Sequence, residues 1–563
     1  MSIPNPGRAE AGLAADGRTV ADVGAGVGAD AAVDTDVVVI GAGFAGLYGV
    51  HRFRQDGLSV RGFERGSGVG GTWFWNRYPG ARCDIESIYY SYSFSDELQQ
   101  DWTWTHRYAT QPELLAYLNH VADRFDLRRS FSFDTSVTSA VFDDDTQTWV
   151  VGTDRGETVR CRFVVMATGP LSTPVDPQIP GLAEFGGQVL RTSDWPADVD
   201  LAGKRVAIVG TGSSCIQSAP IIADQAEHLY VVQRTPQFSI PAWNRAYDED
   251  EIARIKAGYP RMREDAWATV GGILYEQPDH DPLTADPQQR EAWLERTWAR
   301  GGYLMIASYP NVVFDEEVNA LVGEFVKTKL RARIRDEDVA GRLMPTYPFA
   351  AKRLCVDTDY FEIYNRDDVT LVDLRESGID HVEAAGIVRD DGSRIDLDVI
   401  VLATGFHALT GAILAMDLRG RGGVRIQDKW SGSASNYLGF ALAGFPNLFM
   451  VNGPGSVGVL YNMIPAAEQH IDFAADTIAY LDAHGLASVE PTEDAEKSWS
   501  AHVNEVAEQS VYPKANTWYM GDNVLGKPRE FLAYAGGGPA YFRHFAQEAA
   551  DGYPGFVLRE RSS

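Results

Sequence analysis

The chain has 563 residues, 45% apolar and 23% charged, with 55 glycines and a formal net charge of −28, so its length calls for at least two domains and its charge opposes a polyanion such as DNA or RNA. Cys83, Cys161, Cys215 and Cys355 are widely spaced with no CxxC pair, which speaks against a zinc site, a disulfide framework or a redox dithiol. No stretch approaches the roughly 20 apolar residues of a membrane span, so a soluble, cytoplasmic protein without metal, membrane or nucleic-acid partner is expected; its oligomeric state is not readable.

Residues 1–34 are rich in Ala, Gly and Asp and lack the basic and apolar regions of a signal peptide, which predicts a disordered tail outside the fold. From Asp36 the pattern is strand, glycine turn, helix, strand: DVVVI, GAGFAG, a helical stretch over 47–55, and LSVRGFE ending at Glu64. Gly41 permits the turn, Gly43 lets the backbone approach a pyrophosphate, and Gly46 admits close helix packing. Glu64 stands where a carboxylate accepts hydrogen bonds from two ribose hydroxyls, which reads as FAD; the alternative is a solvated surface glutamate. Next, Thr110 and Glu113 predict a capping box, Pro112 suits a first turn, and Leu114, Leu118, Val121 and Phe125 share one helical face. RFVVMATGP (162–170) and, later, DVIVLATGF (398–406) read as buried strands ending in Ala-Thr-Gly turns that mark crossings between domains.

A second such unit begins at Lys204, with KRVAIV, GTGSSC, a helix through Ala226, and LYVVQRT ending at Thr235. Gly210, Thr211, Gly212, Ser213, Ser214 and Gln217 are its expected cofactor positions, with Cys215 where a third glycine or alanine is usual. Arg234, followed by Thr235, ends the strand; a cation there pairs with a 2′-phosphate and reads as NADPH, the alternative being a surface arginine. Residues 243–348 show helical periodicity, many charges and no glycine fingerprint, which predicts a helical insertion covering the site, and the Gly-, Pro- and aromatic-rich chain after Asn452 predicts binding loops. The expected fold is α/β, with two Rossmann-like dinucleotide-binding domains and an inserted helical subdomain. The FAD domain takes 35–160 and 395–563, the NADP domain 161–242 and 349–394.

In the string GGTWFWNRYPGARCD, residues 70–84, the chain resembles the long fingerprint of the type I Baeyer–Villiger monooxygenases, in the phenylacetone and steroid monooxygenase branch, and the resemblance covers essentially everything after the tail. That family's second fingerprint, F-x-G-x-x-x-H-x-x-x-W-P, is met by Phe185, Gly187, Trp195 and Pro196, with Arg191 in the histidine position. In the family this histidine lies near the interdomain linker and helps couple the domains; Arg191 still donates hydrogen bonds but is permanently charged. The resemblance implies an NADPH- and oxygen-dependent FAD monooxygenase that converts a ketone, bulky and cyclic or steroid-like, to an ester or lactone through a peroxyflavin.

The resemblance also implies roles. Arg353, in AAKRLCVD, would be the catalytic arginine, Lys352 a second partner for the 2′-phosphate, and Asp84 the carboxylate that orients Arg353 near the flavin, its alternative being a helix cap. Thr72, Trp73 and Tyr90 would meet the flavin, Trp518 in ANTWYMGDN would close over nicotinamide and substrate, and Gly458, Val459 and Leu460 would line the ketone pocket. Two other readings stay open: an N- or S-oxygenating flavin monooxygenase, against which Trp195 and the 70–84 string speak, and a non-catalytic nucleotide-responsive binding protein.

Overall fold

A computed structural model describes residues 32–561; the tail expected over 1–34 falls outside the described residues up to position 31. The strand Thr35–Ile40 is a Val/Ile run buried on both faces, with Val37, Val38 and Val39 fully enclosed. It pairs in parallel with Val60–Phe63 on one side and Thr158–Met166 on the other. The eight-stranded sheet extends past Val60–Phe63 to Phe131–Ser132, and past Thr158–Met166 through Thr148–Thr153 and Val137–Asp143 to Asp417–Arg419, with Leu448–Met450 also on Thr158–Met166. A second sheet of five parallel strands runs Val369–Asp373, His228–Gln233, Arg205–Val209, Val399–Leu402, Gln188–Arg191.

The two nucleotide-binding units are present, but two boundaries move. A boundary at 161 would cut the strand Thr158–Met166, which belongs wholly to the first sheet, and Val399–Leu402 belongs to the second sheet although it lies past 394. The cause is common to both: each strand leading into Ala-Thr-Gly is the hydrogen-bonded neighbour of its own glycine-motif strand. The chain crosses only afterwards, and the two crossings are tied together, Val175 N donating to Gly405 O (3.0 Å) and His407 N to Thr173 O (2.8 Å).

The helix Gln111–Arg124 buries Leu114, Leu118 and Val121 as its periodicity predicts. Its capping box is absent: the Thr110 side chain makes no cap bond, and Glu113 Oε1 instead accepts from Thr105 N at 2.7 Å, satisfying a donor outside the helix. The insertion folds as the helices Glu249–Trp267, Pro287–Arg300, Glu316–Arg331 and Glu337–Leu343, between the paired strands Ser239–Pro241 and Cys355–Asp357. After Asn452 much of the expected loop structure is helix: Met463–Ala483, Glu493–Glu508 and Gly538–Ala550. The first of these is buried around most of its circumference and buries the polar Glu468, His470 and Thr477 among its apolar residues, which blurs its period. No helix of the described residues is long and apolar enough to cross a membrane.

Met463–Ala483 carries a buried carboxylate, Glu468, whose Oε1 accepts from Ser93 N (2.8 Å) and Phe94 N (3.2 Å) and whose Oε2 accepts from Ser93 Oγ (2.5 Å). Burial pushes its pKa up to about 7, although the Ser93 donors pull the other way. Because the folded value lies above the ordinary 4.5, the native state binds the proton more tightly; the resulting stability is present at low pH and is lost as pH rises from 4.5 through about 7, by up to about 3 kcal/mol. Glu468→Gln is expected to flatten the fall in melting temperature across that window, and a variant profile parallel to wild type would contradict this.

Candidate functional site

Both glycine motifs lie at the carboxyl ends of their strands, where α/β sheets bind ligands. Gly41 has φ +106°, and a Cβ there would sit 2.6 Å from Ala167 O; Gly210 repeats this with φ +107° and a Cβ 2.5 Å from Ala403 O. A Cβ on Gly46 would lie 1.8 Å from Gly41 O, so the first helix packs directly on its own turn, whereas the second unit holds Cys215 at the matching position, fully buried in the second core. The helices Phe44–Gln55 and Ser213–Gln225 begin on Gly43 and Gly212 with no side-chain cap and no acid in the first turn. Elsewhere caps are supplied, as by Asp315 and Thr492. Two helix N-termini with uncompensated N–H groups, one beside a glycine whose Cβ position is clear to 4 Å (Gly212), fit the pyrophosphates of FAD and NADP.

The two cradles open into one cleft of about 2800 Å³, well beyond the roughly 300–1,000 Å³ of a single-ligand pocket. Every expected site residue lines it except Gly46, which packs beneath. Glu64 is not a solvated surface residue: it is buried, its Oε2 accepting from Ala42 N (2.8 Å) and its Oε1 from Gly66 N (2.7 Å), with lone pairs left for ribose hydroxyls. Thr72 opens the short helix Thr72–Trp75, and Trp73 and Tyr90 meet edge to face at 5.9 Å, with Phe44 against Tyr90 at 5.3 Å. Trp518 starts the turn Trp518–Met520, its ring 4.3 Å from that of Tyr519.

On the second unit, Arg234 and Lys352 stand close together, and neither forms an ion pair among the described residues. Burial and then the Arg234 charge depress the Lys352 pKa, as expected of two cations awaiting an anion. Thr211 and Gln217 are spent on the protein: Thr211 Oγ1 donates to Thr235 O (2.6 Å), and the Gln217 amide accepts from Tyr78 Oη (2.9 Å) and donates to Arg82 O (3.1 Å), tying the 70–84 string to the second unit. Ser213 Oγ lies 3.4 Å from Cys355 Sγ, and Ser214 lines the cleft beside it. Arg191 pairs with Asp176 at 2.6 Å on the first crossing segment.

Between the cradles, Asp84 and Arg353 form a forked pair: Arg353 Nε donates to Oδ2 (3.1 Å) and Nη2 to Oδ1 (3.1 Å) and Oδ2 (2.8 Å). Asp84 therefore takes the ion-pairing role and caps no helix. Arg353 Nη1 donates to Val459 O (3.0 Å), which brings the Gly458–Leu460 loop to the guanidinium. Burial opposes the Arg353 charge, but Asp84 outweighs it and holds the guanidinium well above its usual pKa. Sequence reasoning missed the two tyrosines around this pair. Tyr303 donates to Asp84 Oδ2, and Tyr519 has its hydroxyl pushed up to about 12 by burial against the pull of Arg353. Their only signal was position in helical or aromatic stretches, which also fits a core.

Arg234→Ala is expected to raise the KM for NADPH at least about tenfold, the size of a lost charge-assisted bond, while leaving the KM for NADH within about twofold. Equal losses for both nucleotides in steady-state assays would contradict the pairing of this arginine with a 2′-phosphate.

Comparison with known proteins agrees with this geometry. The pyridine nucleotide-disulphide oxidoreductase family matches residues 35–256, although the four cysteines here are buried and unpaired. A Baeyer–Villiger monooxygenase of Pseudooceanicola batsensis is 40% identical over 94% of this chain and 97% of its own length. A phenazine N-monooxygenase of Lysobacter antibioticus is 38% identical over 94% and 98%. Among solved structures, an oxidized steroid monooxygenase bound to NADP is 48% identical, with a TM-score of 0.89 over 93% of this chain and 99% of that one. Similarity of this depth, running nearly end to end on a scaffold with two nucleotide cradles, places the protein in one family: it belongs to the Baeyer–Villiger monooxygenases, flavoproteins that draw electrons from NADPH and use molecular oxygen to insert one oxygen atom beside a ketone carbonyl.

Proposed function

We propose that this monooxygenase acts on a bulky cyclic or steroid-sized ketone, giving a lactone or ester, with Arg353 as its catalytic cation. The observation that carries the reading is the forked Asp84–Arg353 pair, set between the two cradles and touching the Val459 carbonyl. When bound, the flavin supplies the redox chemistry, taking hydride from NADPH and activating oxygen. The residues of the chain supply placement and charge. Glu64 and the Gly41–Gly46 turn hold one adenosine diphosphate, and Arg234 with Lys352 holds the other at its 2′-phosphate. Arg353 cannot lose its proton at working pH, so it stabilises negative charge developing on the carbonyl oxygen. Asp84 fixes the plane of the fork, and Trp518 with the Gly458–Leu460 loop shuts out water that would divert activated oxygen to peroxide. The preference for a large ketone rests on the likeness to a steroid monooxygenase. The 38% identical phenazine N-monooxygenase keeps N-oxygenation as the competing outcome.

The test is a substrate panel of steroid, monocyclic and small acyclic ketones with an aromatic N-heterocycle, scored by NADPH consumption and product mass. Lactone from the polycyclic ketones is expected; N-oxide alone, or turnover of small acyclic ketones alone, would overturn the reading. In Arg353→Ala, flavin reduction by NADPH is expected to stay within about threefold of wild type while ketone oxygenation drops at least about a hundredfold. Oxygenation at the wild-type yield would remove Arg353 from the chemistry.

A further inference from the structure

We propose that Tyr303, from the helical insertion, is the positioning residue that fixes Arg353 in its working orientation, gripping the carbonyl of the next residue, its counter-ion and its guanidinium at once. This deepens the role assigned to Arg353 above and rests on it. The phenol Oη lies 2.9 Å from Leu354 O, the carbonyl next after Arg353, and 3.2 Å from Asp84 Oδ2. The guanidinium carbon of Arg353 lies 5.4 Å from the Tyr303 ring centroid, within cation–π range. Leu354 O and the Asp84 carboxylate can only accept, so the single phenolic proton is shared between them. Burial holds that proton in place by pushing the phenol well above its usual pKa, so Tyr303 remains a donor throughout the working pH range.

The backbone is shaped to deliver this side chain. Tyr303 follows Gly301 (φ +70°) and Gly302 (φ +64°), both in the left-handed region, at the end of the helix Pro287–Arg300. A Cβ at Gly301 would lie 2.2 Å from Pro241 O, and one at Gly302 would lie 2.0 Å from Tyr108 Oη. The turn Gly302–Met305 is therefore clamped between the strand Ser239–Pro241 and Tyr108, and the phenol enters the cleft with little freedom. The consequence concerns Asp84. Three of the contacts on its Oδ2 converge from Arg353 Nε, Arg353 Nη2 and Tyr303 Oη. Without the phenol, the carboxylate and guanidinium keep each other but lose their fixed reference to the backbone at Leu354. The pair would then be tied to the backbone through Arg353 Nη1 and Val459 O alone, and Arg353 would meet the carbonyl oxygen in fewer encounters.

Tyr303→Phe keeps the ring and removes only the hydroxyl; Tyr303→Leu removes both. With flavin content and melting temperature unchanged, Tyr303→Phe is expected to lower kcat for ketone oxygenation roughly tenfold, the effect of one hydrogen bond to a charged group, with the KM for NADPH within about twofold. Product formed per NADPH should fall alongside, and Tyr303→Leu should fall further. A merely structural residue would move stability and the nucleotide KM together and leave the yield per NADPH intact. The second measurement is independent of substrate: a crystal structure of Tyr303→Phe with FAD and NADP bound should show the Arg353 guanidinium displaced or in two positions. Wild-type kcat and yield in Tyr303→Phe, or an undisturbed Arg353 in that structure, would overturn the proposal. If the wild type oxygenates no ketone, the functional reading fails, and the crystal structure still decides the role of Tyr303.

Discussion

A guanidinium set between the two nucleotide cradles is the constraint on which the rest of the site depends. Moving such a charge out of water costs several kcal/mol unless a partner and further hydrogen bonds compensate, and Arg353 keeps 27% of its side-chain surface open toward the cleft. Asp84 is that partner, and it comes from the other nucleotide-binding unit. The ion pair therefore exists only when the two units are docked. Several features serve that docking: Gln217 grips the main chain at Arg82 and the hydroxyl of Tyr78, two and six residues before Asp84, the two crossing segments hydrogen-bond to each other, and Arg191 pairs with Asp176 on one of them.

The proposed assignment of nucleotides follows from opposite charge at equivalent places. Each cradle uses an uncapped helix N-terminus for phosphate, so neither by itself distinguishes FAD from NADP. In the proposed reading, discrimination lies at the next strand end, where the first unit has a buried carboxylate already shaped by Ala42 and Gly66, and the second has two cations that form no ion pair among the described residues. The first arrangement suits ribose hydroxyls and repels a phosphate; the second does the reverse.

Much of this was legible in the sequence because it is local. A glycine turn, the strand before it and the residue ending the next strand lie within about 30 positions, and each makes a steric or electrostatic demand that only a few residue types meet. Glu64 and Arg234 were readable for that reason. The Asp84–Arg353 pair spans 269 positions, and only the family resemblance of the 70–84 string connected them. Tyr303, 219 positions from Asp84, had no such string and read as part of a helical cover. Where local reasoning failed, a tertiary demand had intervened. Glu113 matched the capping-box pattern but accepts from Thr105 N instead, and the Met463–Ala483 helix blurred its period by burying polar residues such as Glu468 and His470 among its apolar ones. The domain boundaries shifted because sheet pairing, which leaves no mark on periodicity, decides where a strand belongs.

In the proposed reading, the fixed, forked cation at position 353 acts after the flavin has been reduced. Rapid mixing of Arg353→Lys, which keeps a charge but not the fork, separates the two half-reactions most directly. The account predicts anaerobic reduction by NADPH close to the wild-type rate, followed on mixing with oxygen and ketone by hydrogen peroxide in place of lactone. Lactone at the wild-type yield from that variant, or a reduction step slowed as much as the oxygenation, would contradict it.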